Sequence, residues 1–418
     1  MAKPSAAMAV SFGDSAMPPA PGPRRRASQP GRAEPRPSTA LGVSQAGLRG
    51  ATLSASKRRF VMGLDGGGTK TACLVADEHL RSFGRGLGGP TNLNFVSQEV
   101  ARQSILQAAT GALDTCPVRP GRLAAVCAIA APEVRDILSG LIPVDQITQA
   151  GEDAPARAAN FSSPAGVVVI AGTGSMASGQ NSKGDRVSVG GWGATLGDEG
   201  SARDIAMQAV ISALRAQDGR GAPTALSQTV REHFGISNLG ELVHIFYHRG
   251  VARHELSRLF PKVAVAAMQG DSVARELLRR AGKELGICAA AAIRRLNMQG
   301  ERVEVVASGG VIKAGGAIMR PLRAAVRRTA PHAKVRAARF EPVAGAILIA
   351  LNHIGLENNA RIRSRLASRL KADGLADWPW RELLKAAGVD PLIWELAKRG
   401  SRNLACQQST PSYPSQWR

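Results

Sequence analysis

The sequence predicts an α/β protein. Three observations carry that reading. Short apolar runs alternate with amphipathic helical stretches across residues 60–354. Two of the runs end in glycine-rich turns about a hundred residues apart. The apolar fraction is 44%, whereas aromatics are only 4%, so the core must be built from Ala, Val, Leu and Ile. With 418 residues the chain has room for two or three domains. No run of 18 apolar residues exists, so no membrane-spanning helix is expected.

The elements follow in order. Residues 59–77 read as strand, turn, strand. Residues 98–113 are helical, because Val100, Ile105, Leu106, Ala109 and Leu113 recur at helical spacing. Residues 123–130 read as a buried strand, 133–141 as a helix and 166–172 as another buried strand, with 176–180 returning beside it. Helices are expected at 201–215, 255–269 and 272–296. A strand at 303–307, a helix at 315–329 and an apolar helix at 343–351 complete the body. Residues 1–56 are rich in Pro, Ala, Ser, Gly and Arg and lack apolar periodicity, so they read as a disordered extension. A targeting segment and an over-extended start stay open for them. Residues 355–418 read as a polar basic tail with short helices near 360–370 and 379–387 and a disordered last dozen. No chemistry is expected there.

The formal net charge is +22. Residues 1–59 contribute +8 and 355–418 contribute +5, leaving +9 for the body. The arginines are scattered and no aromatics interleave with them, so neither nucleic acid nor a membrane is the expected partner. The five cysteines include no C-x-x-C pair. Free thiols in a reducing cytoplasm are expected rather than a disulfide or metal framework.

Four motifs carry chemistry. The first runs Gly63-Leu64-Asp65-Gly66-Gly67-Gly68-Thr69-Lys70-Thr71. Its order, Thr before Lys, with a strand after it, excludes a P-loop, and the missing helix excludes a dinucleotide fingerprint. What remains is a tight hairpin whose bare backbone can approach a phosphate, or a plain glycine hairpin. The second, Gly172-Thr173-Gly174-Ser175 after the strand Val167-Val168-Val169-Ile170, repeats the device. Two such hairpins facing each other can hold a polyphosphate from both sides. The third is Gly190-Gly191-Trp192-Gly193 continuing to Gly197-Asp198-Glu199-Gly200-Ser201. It reads either as helix capping or as a loop folded tightly round a ligand with an aromatic wall. The fourth, Ser308-Gly309-Gly310, permits close backbone approach to a flat ring, or is an ordinary strand-to-helix turn.

In combination and order these motifs resemble the acetate/sugar kinase, Hsp70 and actin superfamily. Within it they are similar to the BadF/BcrA-type ATPases, and more narrowly to the N-acetylglucosamine and glucosamine kinases. The resemblance implies two ribonuclease-H-like (actin-like ATPase) domains around a central cleft. The first would span 57–158 with 343–354 packing back, and the second 159–342. It implies ATP and Mg²⁺ as cofactors, a small-molecule amino sugar as substrate, a 6-phosphate as product, and homodimers as common among relatives. Gly66, Gly67, Gly68, Thr69 and Lys70 would bind phosphate together with Gly172, Thr173, Gly174 and Ser175. Gly309 and Gly310 would border the adenosine, and Asp65 would hold the metal. Asn92, Thr173, Gly191, Trp192 and Asp198 would form the sugar pocket. Asp153, nineteen residues before the second hairpin, would be the catalytic base, with Glu152 a weaker candidate and helix capping the plain alternative. The loop of Ala128-Ile129-Ala130-Ala131-Pro132 is short and has no glycine, unlike the family's loop. Two further readings are an ATPase that activates a dehydratase or reductase, and a non-catalytic sugar-binding regulator. The first lacks a suitable cysteine pair.

Overall fold

Two five-stranded sheets of the same connectivity form the frame of this computed structural model, which describes residues 58–129, 133–161 and 163–398. The first sheet has the order β3-β2-β1-β4-β5. Its strands are β1 (Phe60–Gly66), β2 (Thr71–Asp77), β3 (Phe83–Gly88), β4 (Ala125–Ile129) and β5 (Ile147–Ala150). β1 to β3 form an antiparallel meander, and β4 and β5 join in parallel beside β1. The second sheet repeats this as β10-β9-β6-β7-β8. Its strands are β6 (Gly166–Ala171), β7 (Ser175–Gln180), β8 (Arg186–Gly190), β9 (Glu304–Ser308) and β10 (Lys334–Ala337). Again the first three are antiparallel and the last two parallel to the first. In each sheet the central strand, β1 or β6, runs straight into a glycine hairpin. This is the arrangement of two ribonuclease-H-like domains around a cleft.

The four edge strands, β3, β5, β8 and β10, escape the periodicity argument. β3 is Phe-Gly-Arg-Gly-Leu-Gly. It lacks the branched residues that mark strands, because its glycines make room for the helix Gln98–Asp114: a Cβ at Gly86 would lie 2.0 Å from the Ala108 carbonyl oxygen. β5 and β10 have four residues each, too few to show a pattern. The expected helix at 255–269 is two helices, Arg253–Ser257 and Phe260–Gln269. Pro261 lies in the first turn of the second, where its missing N–H costs nothing, and a single helix through it would lose a hydrogen bond.

The helix Pro342–His353 packs on the first sheet: Val343, Ala346, Ile347 and Leu351 share a core with Val61, Ala72, Leu74 and Cys127. It also lies directly on the short helix Ala154–Asn160. A Cβ on Gly345 would stand 2.1 Å from the Pro155 carbonyl oxygen.

The basic tail is more than a tail. Helices Ala360–Ala372, Trp380–Ala386 and Pro391–Lys398 are all ordered parts of the fold. Leu366, Leu370 and Trp378 enter the core of the first sheet, and Trp380, Leu384 and Trp394 that of the second. Composition hid this, because the apolar residues that anchor the segment are sparse and lie among arginines. Residues 1–56 and the last dozen lie outside the described residues. Among the described residues no helix is long and apolar enough to cross a membrane.

Gly345→Ala should drive the two helices apart and cost about 1–3 kcal/mol of stability. Chemical denaturation of parent and variant measures it, and an unchanged midpoint would refute the close approach.

Candidate functional site

A cavity of about 790 Å³ lies between the ends of β1 and β6. Its walls include Asp65 to Lys70 from the first hairpin, Gly172 to Met176 from the second, Gly191 to Leu196, and Ser308 to Gly310. The two hairpin tips meet there. The Thr69 and Thr173 hydroxyls are hydrogen-bonded to each other across 104 residues of sequence. Backbone pairing supports both tips. The Thr91 N–H donates to the Gly67 carbonyl at 3.0 Å, and the Gly172 N–H to the Gly174 carbonyl at 2.9 Å. The Thr71 hydroxyl donates to the Gly89 carbonyl at 2.8 Å, which ties the loop bearing Asn92 to the first hairpin. Asn92 lines the cavity, and its Oδ1 accepts from the Asn94 N–H at 3.0 Å.

Asp65 stands at the hairpin lip, 3.8 Å from the Lys70 ammonium. Burial raises its pKa, Lys70 pulls it down, and the Glu341 carboxylate pushes it up again. Surplus negative charge of this kind suits a divalent cation. Among the described residues no cluster of three or more His, Cys, Asp or Glu forms a cage. One buried carboxylate with a second nearby is the kind of donor set Mg²⁺ takes, since it keeps water and phosphate oxygens as its other ligands. Glu341 also lines the cavity and is paired with Lys313 at 2.6 Å.

Asp198 serves the hairpin as much as the cavity. It is 5% exposed and holds a left-handed backbone, φ 62°. Its Oδ1 accepts from the Ser175 N–H at 3.2 Å, and its Oδ2 from Arg253 at 2.6 Å. Both oxygens are thus engaged. The capping alternative for this loop falls to Ser201, whose hydroxyl accepts from the Asp204 N–H at 3.1 Å. Trp192 lines the cavity and is 74% exposed, so its ring stands at the open side of the cleft. The helix-borne Arg253 was not legible as a site residue, being one arginine among many. It links the walls: its guanidinium lies 3.8 Å from the Phe95 ring centroid while pairing with Asp198.

The carboxylates at the β5–helix junction divide their roles. Asp153 precedes the helix Ala154–Asn160, yet its side chain makes no capping bond. Its Oδ2 accepts from Arg157 Nε at 2.6 Å and from the Ser178 hydroxyl at 2.8 Å. Burial alone would raise its pKa, but these hydrogen bonds and the Arg157 charge bring it below the usual value. Asp153 is not among the cavity-lining residues, whereas Glu152 is. Glu152 is open to the water of the cleft but crowded by its walls. That partial desolvation, then the charges of Asp65, Asp198 and Asp153, raise its pKa. Ala130 to Pro132, the shortened loop, lie outside the described residues.

The raised Glu152 pKa means that the folded chain holds its proton more tightly than the unfolded chain. Its contribution to stability is present below the unfolded value of 4.5 and is lost as pH rises through the folded pKa. Glu152→Gln should therefore melt higher than the parent at pH 7 and lose that advantage toward pH 4. Thermal melts across this range check it, and a constant gap would be the contrary result.

Residues 62–350 match the BadF/BadG/BcrA/BcrD ATPase family. The chain is 27% identical over 300 residues to an N-acetylmuramic acid/N-acetylglucosamine kinase of Clostridium acetobutylicum, covering 70% of this chain and 98% of that protein. It is 26% identical over 317 residues to an N-acetyl-D-glucosamine kinase of Dictyostelium discoideum, covering 71% and 99%. A crystal structure from Chromobacterium violaceum, provisionally named N-acetylglucosamine kinase, superposes with a TM-score of 0.54 at 24% identity, over 70% of this chain and 99% of that one. The family match runs through both sheets, both hairpins and the cleft between them: the chain belongs to the BadF/BadG/BcrA/BcrD ATPase family.

Proposed function

We propose that the protein transfers the γ-phosphoryl group of ATP to a hydroxyl of an amino sugar, N-acetylglucosamine or glucosamine, giving the 6-phosphate. The observation that carries this reading is the meeting of the two glycine hairpins at Thr69 and Thr173 on the cavity wall. The amino-sugar kinases named above, aligned over nearly their whole length, support the substrate class.

Under this reading the lobes are residues 57–158 with 343–354, and 159–342. The backbone of Gly67 to Thr69 and of Thr173 and Gly174 faces the phosphates, the Gly172 and Ser175 N–H groups being engaged in holding the second turn, and Lys70 adds a positive charge. Gly309 and Gly310 border the adenosine. Asp65, with Glu341 beside it, would hold Mg²⁺, which when bound would supply charge neutralisation for the transferring phosphoryl group. Asn92, Gly191 and Trp192 border the sugar, and the Arg253–Asp198 pair stiffens that wall.

A neutral sugar hydroxyl needs a proton acceptor as the phosphoryl group leaves ATP. Asp153 takes that role in our reading. Arg157 and Ser178 anchor its Oδ2 and keep it ionised, and neither engages Oδ1, the oxygen that would accept the proton. Glu152 is the second reading, favoured by its position in the cavity wall and by a pKa raised toward that of an efficient base.

Coupled ADP release with Mg·ATP, tested on N-acetylglucosamine, glucosamine, N-acetylmuramic acid and glucose, decides the matter. Asp153→Asn should lower kcat about 10²-fold or more with little change in the sugar KM, and Glu152→Gln should be milder. The reverse order would transfer the base to Glu152. No sugar-dependent ADP release from folded protein would sink the kinase reading.

A further inference from the structure

The family match stops at residue 350, but the cavity wall does not. Trp380 and Leu383, from the segment beyond it, line the cavity together with Ser308, Gly309 and Gly310. The segment passes from one core to the other at this place. Trp378 is buried with the first sheet, and Trp380, two residues on, with the second.

Trp380 is only 6% exposed and is held in a fixed pose. Its ring meets Trp394 edge-on, with centroids 5.2 Å apart and planes at 66°. On its other side it closes over glycine: a Cβ on Gly310 would lie 2.9 Å from the Trp380 Cζ3 atom. The indole thus occupies the space that a side chain at 310 would take, so bare backbone and aromatic edge form one surface. The ion pairs nearby fasten the segment. Lys313 binds Glu341 at 2.6 Å and Asp377 at 3.6 Å, which joins the turn after Gly310 to the segment just before Trp380. The Lys313 charge is thereby already paired. A wall of indole, leucine and glycine backbone suits a flat, weakly polar ring. Phosphates and sugar hydroxyls would need the donors found at the hairpins instead.

We propose that the C-terminal segment completes the nucleotide site of this protein, with Trp380 and Leu383 as the apolar wall against which the purine base packs. This rests on the kinase reading above, because that reading puts the adenosine at Gly309 and Gly310. The consequence is that nucleotide affinity in this chain depends on residues that lie outside the family's common span.

Calorimetric titration of the full-length chain with a non-hydrolysable ATP analogue tests it, beside steady-state kinetics. Trp380→Ala and Leu383→Ala should each weaken nucleotide binding about tenfold, the size of a lost base–aromatic contact, with the KM for ATP rising in step. The sugar KM should stay within about twofold, and Trp380→Phe should recover most of the affinity. Leu383→Ala decides the matter if Trp380→Ala does not fold. Parent-like nucleotide affinity in folded variants would overturn this inference while leaving the kinase reading intact. No nucleotide binding by the parent would overturn both.

Discussion

The contact between the two hairpin tips is the constraint from which the rest of the site follows. Two sheets of the same connectivity each send their central strand to one edge of the cavity, and each strand leads into a glycine turn. A Cβ on Gly174 would lie 2.9 Å from the Asp198 carboxylate, so that position must stay bare. At the tips Thr69 and Thr173 come into hydrogen-bond contact, and both hairpins line one cavity. The second tip is held from below by Asp198, which accepts the Ser175 N–H while Arg253 balances its charge. The first is held by Thr71 and Thr91, through backbone contacts with Gly89 and Gly67.

Charge distribution inside the cleft opposes the charge of the whole. The chain is strongly cationic, yet the cavity gathers Asp65, Glu152, Asp198 and Glu341. Arg157 and Arg253 neutralise Asp153 and Asp198 at close range, and Lys313 pairs with Glu341. Asp65 and Glu152 are left with raised pKa values. Ionised carboxylates in such company are costly unless a cation joins them. The same crowding suits a site that receives a metal-bound polyphosphate and then loses it.

The C-terminal segment adds a third crossing between the sheets, after those near residues 158 and 342. It is anchored in both cores and crosses at the end of the cavity lined by Ser308 to Gly310. Any motion of one sheet relative to the other must be accommodated at Trp378 to Trp380. The mutual packing of Trp380 and Trp394 gives that end a rigid floor, whereas the opposite loop carries Trp192 in open solvent.

What could be read from the amino-acid order was whatever is encoded locally. The alternation of apolar runs and helices predicted the α/β class. The recurrence of glycine after strands 60–66 and 166–171 predicted paired hairpins, because both signals lie within a dozen consecutive residues. The resemblance put Asp153 ahead of Glu152, but their surroundings could not be read, since the hydrogen bonds from Arg157 and Ser178 depend on how β7 lies beside the helix. Arg253 on Phe95, Glu341 beside Asp65 and Trp380 over Gly310 were invisible for one physical reason. Each pairs residues that are distant in the chain, and no local pattern distinguishes those side chains from their many solvated counterparts. Sequence alone determined that glycine hairpins would exist; only tertiary packing decided what faces them, because burial and charge pairing are set by which surfaces meet.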